Sequence, residues 1–229
     1  VLVPVPGPRR PELIGDGGGL PFPPAALAGR PDPLDPEDPA AAALLAYITR
    51  RAAPKRTVRA LWKRGAAPVA PEREGLEAWR ELARTEAEVL FARGLPPRML
   101  TAALRRSGLR GTWAFLGSSA ARPLRATRNG IRASSWRLDP EHEAAPSDRL
   151  VRVLVTEQAF ASGRTARERI LPPEIYLDAG ELVVTIFVTP EQGYQNGTPN
   201  PETPARIELP EPVGARRIVD GALFEFRPA

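Results

Sequence analysis

Residues 150–159 carry the clearest alternation in this chain. Leu150, Arg152, Leu154, Thr156 and Gln158 fall on one side, and Val151, Val153, Val155, Glu157 and Ala159 on the other. A period of two is the signature of a strand with one face on a core. The flanking sequence follows the same grammar. Asn129-Gly130 sits between two alternating runs and predicts a type I′ hairpin. GELVVTIFVTP reads as a buried strand, ARIELPEPVG alternates until its prolines, and Asp220-Gly221 predicts a second hairpin. Short strands between Pro/Gly turns over residues 108–229 predict an antiparallel β-sandwich.

Residues 39–107 read as a helical segment. Asp38-Pro39 is an N-cap followed by proline at the first helical position, opening AAAALLAYITRR. KRTVRALWKRG reads as a short basic helix. PEREGLEAWRELARTEAEVLFARG places Leu76, Trp79, Leu82, Ala83, Leu90 and Phe91 on one helical face, with Glu86 as its charged intruder. PPRMLTAALRRSG predicts a last helix. Residues 1–38 have too many prolines and glycines for helix or sheet and read as an extended arm. The expected fold is therefore α+β: an extended arm, a small helical segment and an antiparallel sandwich. The arm's apolar residues Val3, Val5, Leu13, Ile14, Leu20 and Phe22 are candidate docking positions, on this chain's own domain or on a neighbouring subunit.

Composition narrows the chemistry. The chain has 229 residues, 42% of them hydrophobic, ample for a core of one or two domains. It has no cysteine, so disulfides, thiolate metal sites and cysteine nucleophiles are excluded. The single histidine, His142, lies in DPEHEAAPSD, which reads as an exposed turn rather than a metal site. No run approaches the roughly 20 apolar residues of a membrane span, and VLVPVPGPRRPELIGDGGG has no apolar signal-peptide core.

The net charge is +5, mostly from arginine, and no acidic residue occurs between Glu88 and Asp139. Arg50, Arg51, Lys55, Arg56, Arg59, Lys63 and Arg64 form one basic cluster, and Arg105, Arg106 and Arg110 belong to a second. These are candidate contacts to an anionic partner, either nucleic acid or acidic protein. LLAYITRRAAPKRTVRALWKRG has a loose helix-turn-helix likeness but lacks the turn glycine and has Pro54 at the turn; a basic amphipathic hairpin accounts for it better.

Catalytic patterns are thin. Ser162, in Phe160-Ala161-Ser162-Gly163, lacks the preceding glycine and following helix of a nucleophile elbow and reads as a turn. The carboxylates of the β zone have no distinguishing frame, and the glycines at 17–19 lack the strand and helix of a phosphate cradle. No cofactor is expected.

From about residue 134 to residue 224 the chain resembles an uncharacterised actinobacterial protein family with a C-terminal β-sandwich-like module. The strings SSWRLDP, VLVTEQAFASGR, RILPPEI, TPNPETPARIELPEPVG and IVDGALF carry the resemblance. It implies cysteines at the position of Phe160 and near Tyr194, joined as a disulfide between two loops. This chain has an aromatic at both places. The expectation is an aromatic pair, ring centres within about 7 Å, in place of the staple.

The sequence therefore points to a non-enzymatic structural or adaptor subunit of a larger assembly of virion, tail or envelope type, with other protein subunits as partners. A nucleic-acid-binding protein and a hydrolase with an unrecognised carboxylate site are the alternatives. On this reading, deleting residues 1–39 abolishes assembly and leaves a folded monomer.

Overall fold

The computed structural model describes residues 1–29, 32–52, 76–107, 111–120 and 122–224. In chain order the strands are β1 (Val5–Pro6), β2 (Ile14–Gly15), β3 (Trp79–Arg84), β4 (Glu88–Arg93), β5 (Leu100–Ser107), β6 (Thr112–Ala120), β7 (Arg125–Arg128) and β8 (Ile131–Arg132). They continue with β9 (Ser135–Leu138), β10 (Leu150–Thr156), β11 (Glu174–Leu177), β12 (Glu181–Thr185), β13 (Thr203–Glu208) and β14 (Arg217–Asp220). The α-helix among the described residues is α1 (Pro39–Ala52), and a short 3-10 helix spans Pro24–Leu27. The fold is α+β and dominated by antiparallel sheet.

The chain forms two compact units, and their limits replace the expected boundaries at 38 and 107. One combines Val1–Gly17 with Pro123–Ala229; the other is Gly18–Arg122. The first seventeen residues of the supposed arm are therefore part of the sandwich unit.

In that unit β10 lies between β9 and β13, antiparallel to both. A second sheet has the order β1-β11-β12-β14. Val151, Val153 and Val155 of β10 and Ile207 of β13 share one core with Ile175 of β11 and Leu182 and Val184 of β12. The alternation read at 150–159 is the inside–outside alternation of a sandwich strand over Leu150–Thr156; residues 157–159 lie beyond the strand's end. Each fully buried aliphatic side chain contributes about 1.5–3 kcal/mol of transfer free energy. Asn129 and Gly130 adopt φ of 51° and 76° in the turn joining β7 to β8, as a type I′ hairpin requires. Asp220-Gly221 is a turn but not a hairpin. β14 pairs in parallel with β12, and Asp220 Oδ1 accepts the Ala222 amide at 2.8 Å. Gly221 is needed for close approach, because a Cβ there would lie 2.7 Å from Val183 Cγ1.

In the second unit, β3, β4, β5 and β6 form an antiparallel meander. Asp38 caps α1 as expected, accepting the Ala41 amide at 3.1 Å. Ala40 and Leu44 of α1 pack on Trp79, Val89, Phe91, Ala102 and Leu104, and the Tyr47 ring stacks on Phe115 with centroids 3.6 Å apart. Elsewhere on the sheet, Gly19 approaches so closely that a Cβ would lie 2.7 Å from Leu90 Cδ1 and 3.2 Å from Ala103 Cβ.

The helices expected from WRELARTEAEVLFARG and PPRMLTAALRRSG are corrected to β3, β4 and β5. Their Glu, Arg, Leu and Ala content favours helix, but ladder pairing and burial override propensity. Val89, Leu90, Phe91 and Ala92 are all buried, and such a run has no period that separates strand from helix. Glu86, the intruder on the helical face, is an exposed residue of the β3–β4 connection, closed by Thr85 N to Glu88 O at 2.7 Å. The basic helix and the helix-turn-helix likeness fall mostly on residues 53–75, outside the described residues. No helix among the described residues is long and apolar enough to cross a membrane.

Candidate functional site

The N-terminal segment ties the sandwich together. The Leu2 amide donates to Arg206 O at 2.7 Å and Leu2 O accepts the Glu208 amide at 3.0 Å, on the β13 edge. Three residues later the Val5 amide donates to Pro173 O at 2.8 Å and the Gly7 amide to Ile175 O at 2.7 Å, on the β11 edge. Residues 2–7 are thus a strap from one sheet to the other. Both edges gain partners for backbone groups that would otherwise stand open to a foreign strand.

The six candidate docking residues divide. Ile14 and Phe22 are fully buried, Ile14 in the sandwich unit and Phe22 in the meander unit. Leu20 is half-buried. Val3 is 69% exposed, Val5 38% and Leu13 39%. Val3 and Val5 therefore stand on backbone held at both ends, facing water. Beside them is an open groove of about 630 Å³, walled by the strap, by Ile175, Tyr176 and Leu177 of β11, and by Leu209 and Pro210 beyond β13. Arg149 and Glu208 supply the charges of its lining.

The acid-free arginine run is not a uniform basic face. Arg105 Nε bonds Glu88 Oε1 at 2.7 Å, and Arg106 Nε donates to Gly111 O at 3.2 Å. Arg128 pairs with Glu174 and lies 4.9 Å from the Phe187 ring centre. Arg137 grips Glu202 through two bonds of 2.7 Å. Arg125 is buried, donating to Ser134 O and Ser135 Oγ. Burial lowers its pKa, and the charge of Asp220 offsets part of that; burial likewise pushes the Asp220 carboxyl up. Arg132 Nη2 donates to Pro123 O at 2.6 Å, so six of the run's arginines among the described residues serve bonds within the chain. Arg50 and Arg51 end α1, while Lys55, Arg56, Arg59, Lys63, Arg64 and Arg110 lie outside the described residues.

The carboxylates are similarly engaged. A cleft of about 380 Å³ in the meander unit includes Asp38, Glu81 and Arg84 in its lining. Arg84 Nη2 reaches Asp38 Oδ2 at 2.8 Å and Glu81 Oε2 at 2.6 Å. Burial alone would raise the Asp38 pKa, but the hydrogen bond and charge of Arg84 and the amides of Ala41 and Ala40 hold it below its ordinary value. A carboxyl kept ionised this way is a poor general acid. Its folded-state value lies below the unfolded one, so its stabilisation is present above the ordinary 3.8 and is lost only as pH falls below that through the lowered folded-state value. Asp38→Asn keeps the cap and should cost the meander unit less than about 1 kcal/mol at pH 7 while flattening its acid sensitivity. Asp38→Ala also loses the cap and should cost about 1–2 kcal/mol. Hydrogen exchange of α1 and β3 amides at pH 7 and at about pH 3 checks both.

Sequence reasoning missed the most buried ion pair among the described residues. Arg169 donates to both oxygens of Glu157 at 2.6 and 2.7 Å, and its Nε lies 3.1 Å from Glu191 Oε2. Asn200 completes the cluster: its Oδ1 accepts the Ala161 amide at 2.9 Å, and its Nδ2 donates to Glu157 O at 3.2 Å and to Ala159 O. Asn200 stands between two prolines, which hold its backbone extended and are the only local hint of its role.

The expected aromatic pair does not form. Tyr194 is 94% exposed and Phe160 59%, so neither ring packs on the other. The two loops are joined by polar bonds instead. Ser162 Oγ donates to Gln195 Oε1 at 2.8 Å and accepts the Asn196 amide at 3.1 Å. Ser162 has φ of 52° and both roles of its hydroxyl are used, so it holds a turn. His142, Asp139 and Glu141 bring ligand atoms within 4.8 Å of one another. The turn explains that grouping: Asp139 accepts the Glu141 amide and the His142 ring nitrogen through its carboxylate, and the His142 amide through its carbonyl.

No family model, curated protein or solved structure matches this chain.

Proposed function

We propose that this chain is a non-enzymatic structural or adaptor subunit of a larger protein assembly, of the kind found in virions, tails or envelope complexes. It docks on a protein partner through the outer face of its N-terminal strap. The observation that carries this reading is the exposure of Val3 and Val5 on backbone pinned to two sheet edges. Apolar side chains held rigidly beside an apolar groove lose little conformational entropy on being covered. The engagement of Arg84, Asp38 and Glu81 with one another, and of Arg169 with Glu157, supports a binding role over acid–base chemistry.

The test is a tagged chain expressed in its native host and sized under native conditions. Wild type is expected in a high-mass fraction. Val3→Glu with Val5→Glu is expected at the monomer position with an unchanged melting curve, since burying a charge at an interface anchor costs about 2 kcal/mol or more. Wild type at monomer mass, or a double variant that remains in the high-mass fraction, sinks the reading.

A further inference from the structure

We propose that the strap is exchangeable, and that the partner it reaches is a second copy of this chain: residues 1–7 of one copy seat on the β11 and β13 edges of the other. This deepens the assembly reading by naming a partner, and it rests on different contacts. The occupant is defined by the chain's own structure. Val5 and Pro6 lie in parallel register with Glu174 and Ile175, and Leu2 with Ile207. An identical strap from a neighbour makes the same bonds, so exchange costs no docking energy.

The balance between own strap and neighbour's strap is set by residues 8–13, which connect β1 to β2. The sequence there is PRRPEL, and the backbone bends at Arg9–Arg10 and again at Glu12–Leu13. Pro8 and Pro11 favour extended backbone at themselves and at the residues before them, Gly7 and Arg10. The closed form therefore turns twice within a segment whose rotation is already restricted by its prolines. What holds it closed is thin. Arg9 reaches Glu181 at 3.3 Å and Asp178 at 3.9 Å and lies 6.0 Å from the Tyr176 ring centre, with its side chain 58% exposed, and exposed contacts of this kind contribute little. The segment 1–7 adds four backbone bonds. A short, weakly held edge element on a proline-stiffened connection is the arrangement that favours exchange.

The chain has no cysteine, so an introduced thiol is unique. One tagged chain carries Val5→Cys and a differently tagged chain carries Glu174→Cys. The two are mixed from micromolar to millimolar concentration and treated with a short bismaleimide. Exchange is expected to give an adduct carrying both tags, rising with concentration. A double variant crosslinked within itself before mixing should lose its dimer. Pro8→Ala with Pro11→Ala should lower the dimer fraction about two- to fivefold, the effect of two relaxed proline positions. The absence of a two-tag adduct at every concentration overturns exchange, as does a pre-locked variant that still dimerises. Exchange absent while Val3→Glu with Val5→Glu still abolishes the high-mass fraction removes this inference and leaves the docking reading standing; exchange present with that fraction unaffected does the reverse.

Discussion

Arg169→Met is expected to destabilise the sandwich unit by about 3–5 kcal/mol. Glu157 is 5% exposed, and both of its carboxylate oxygens are bound by Arg169. Methionine fills much of the space but leaves the carboxylate buried without its countercharge. The same guanidinium donates to Thr189 O at 2.9 Å and approaches Glu191, so the loop after β12 loses its tether too. The pair itself is not the source of that energy, since bringing both ions out of water costs nearly what their attraction returns. Glu157→Leu with Arg169→Met should therefore be far milder than the single change, within about 1–2 kcal/mol of wild type. Hydrogen exchange of β10 and β12 amides in the full chain reads the sandwich unit directly. A single variant costing less than about 1 kcal/mol would mean that water reaches Glu157 freely.

Removal of residues 1–17 is expected to abolish cooperative folding of the sandwich unit. This reverses the expectation that the chain without its arm is a folded monomer. Ile14 is fully buried, and Ile14→Ala alone should cost about 2–5 kcal/mol. β2 pairs with β7 through Ile14 and Gly15, and the strap's four bonds cover the β11 and β13 edges. Deletion removes all of these together and exposes two strand edges, so aggregation should accompany the loss of stability. Against total stabilities of about 5–15 kcal/mol the change is decisive. Val3→Glu with Val5→Glu should shift stability by no more than about 0.5 kcal/mol, because both side chains already face water. Thermal melts and light scattering of the three proteins separate a structural segment from a docking one; a truncated chain that melts like wild type contradicts the strap's structural role.

The sequence by itself determined the features whose causes are local. The alternation over Leu150–Thr156 became β10, because β-branched residues at every second position suit one buried face. Asn129-Gly130 became a tight turn, because both positions need positive φ. Asp38-Pro39 opened α1, because a cap needs only its own first turn. Prolines and glycines kept residues 1–29 from forming any long element: β1 and β2 are two residues each and the 3-10 turn Pro24–Leu27 is four. The tertiary structure alone decided what depends on residues far apart in the chain. β3 to β5 became strands against their helical composition, because ladder partners and covering layers exist only after folding. Arg137 found Glu202, 65 residues away, so an arginine run without acids in sequence was partly neutralised in space. The arm's fate belonged to the same class: its extended form is written in its prolines, but the open edges of β11 and β13 that receive it arise only when two sheets close around one core.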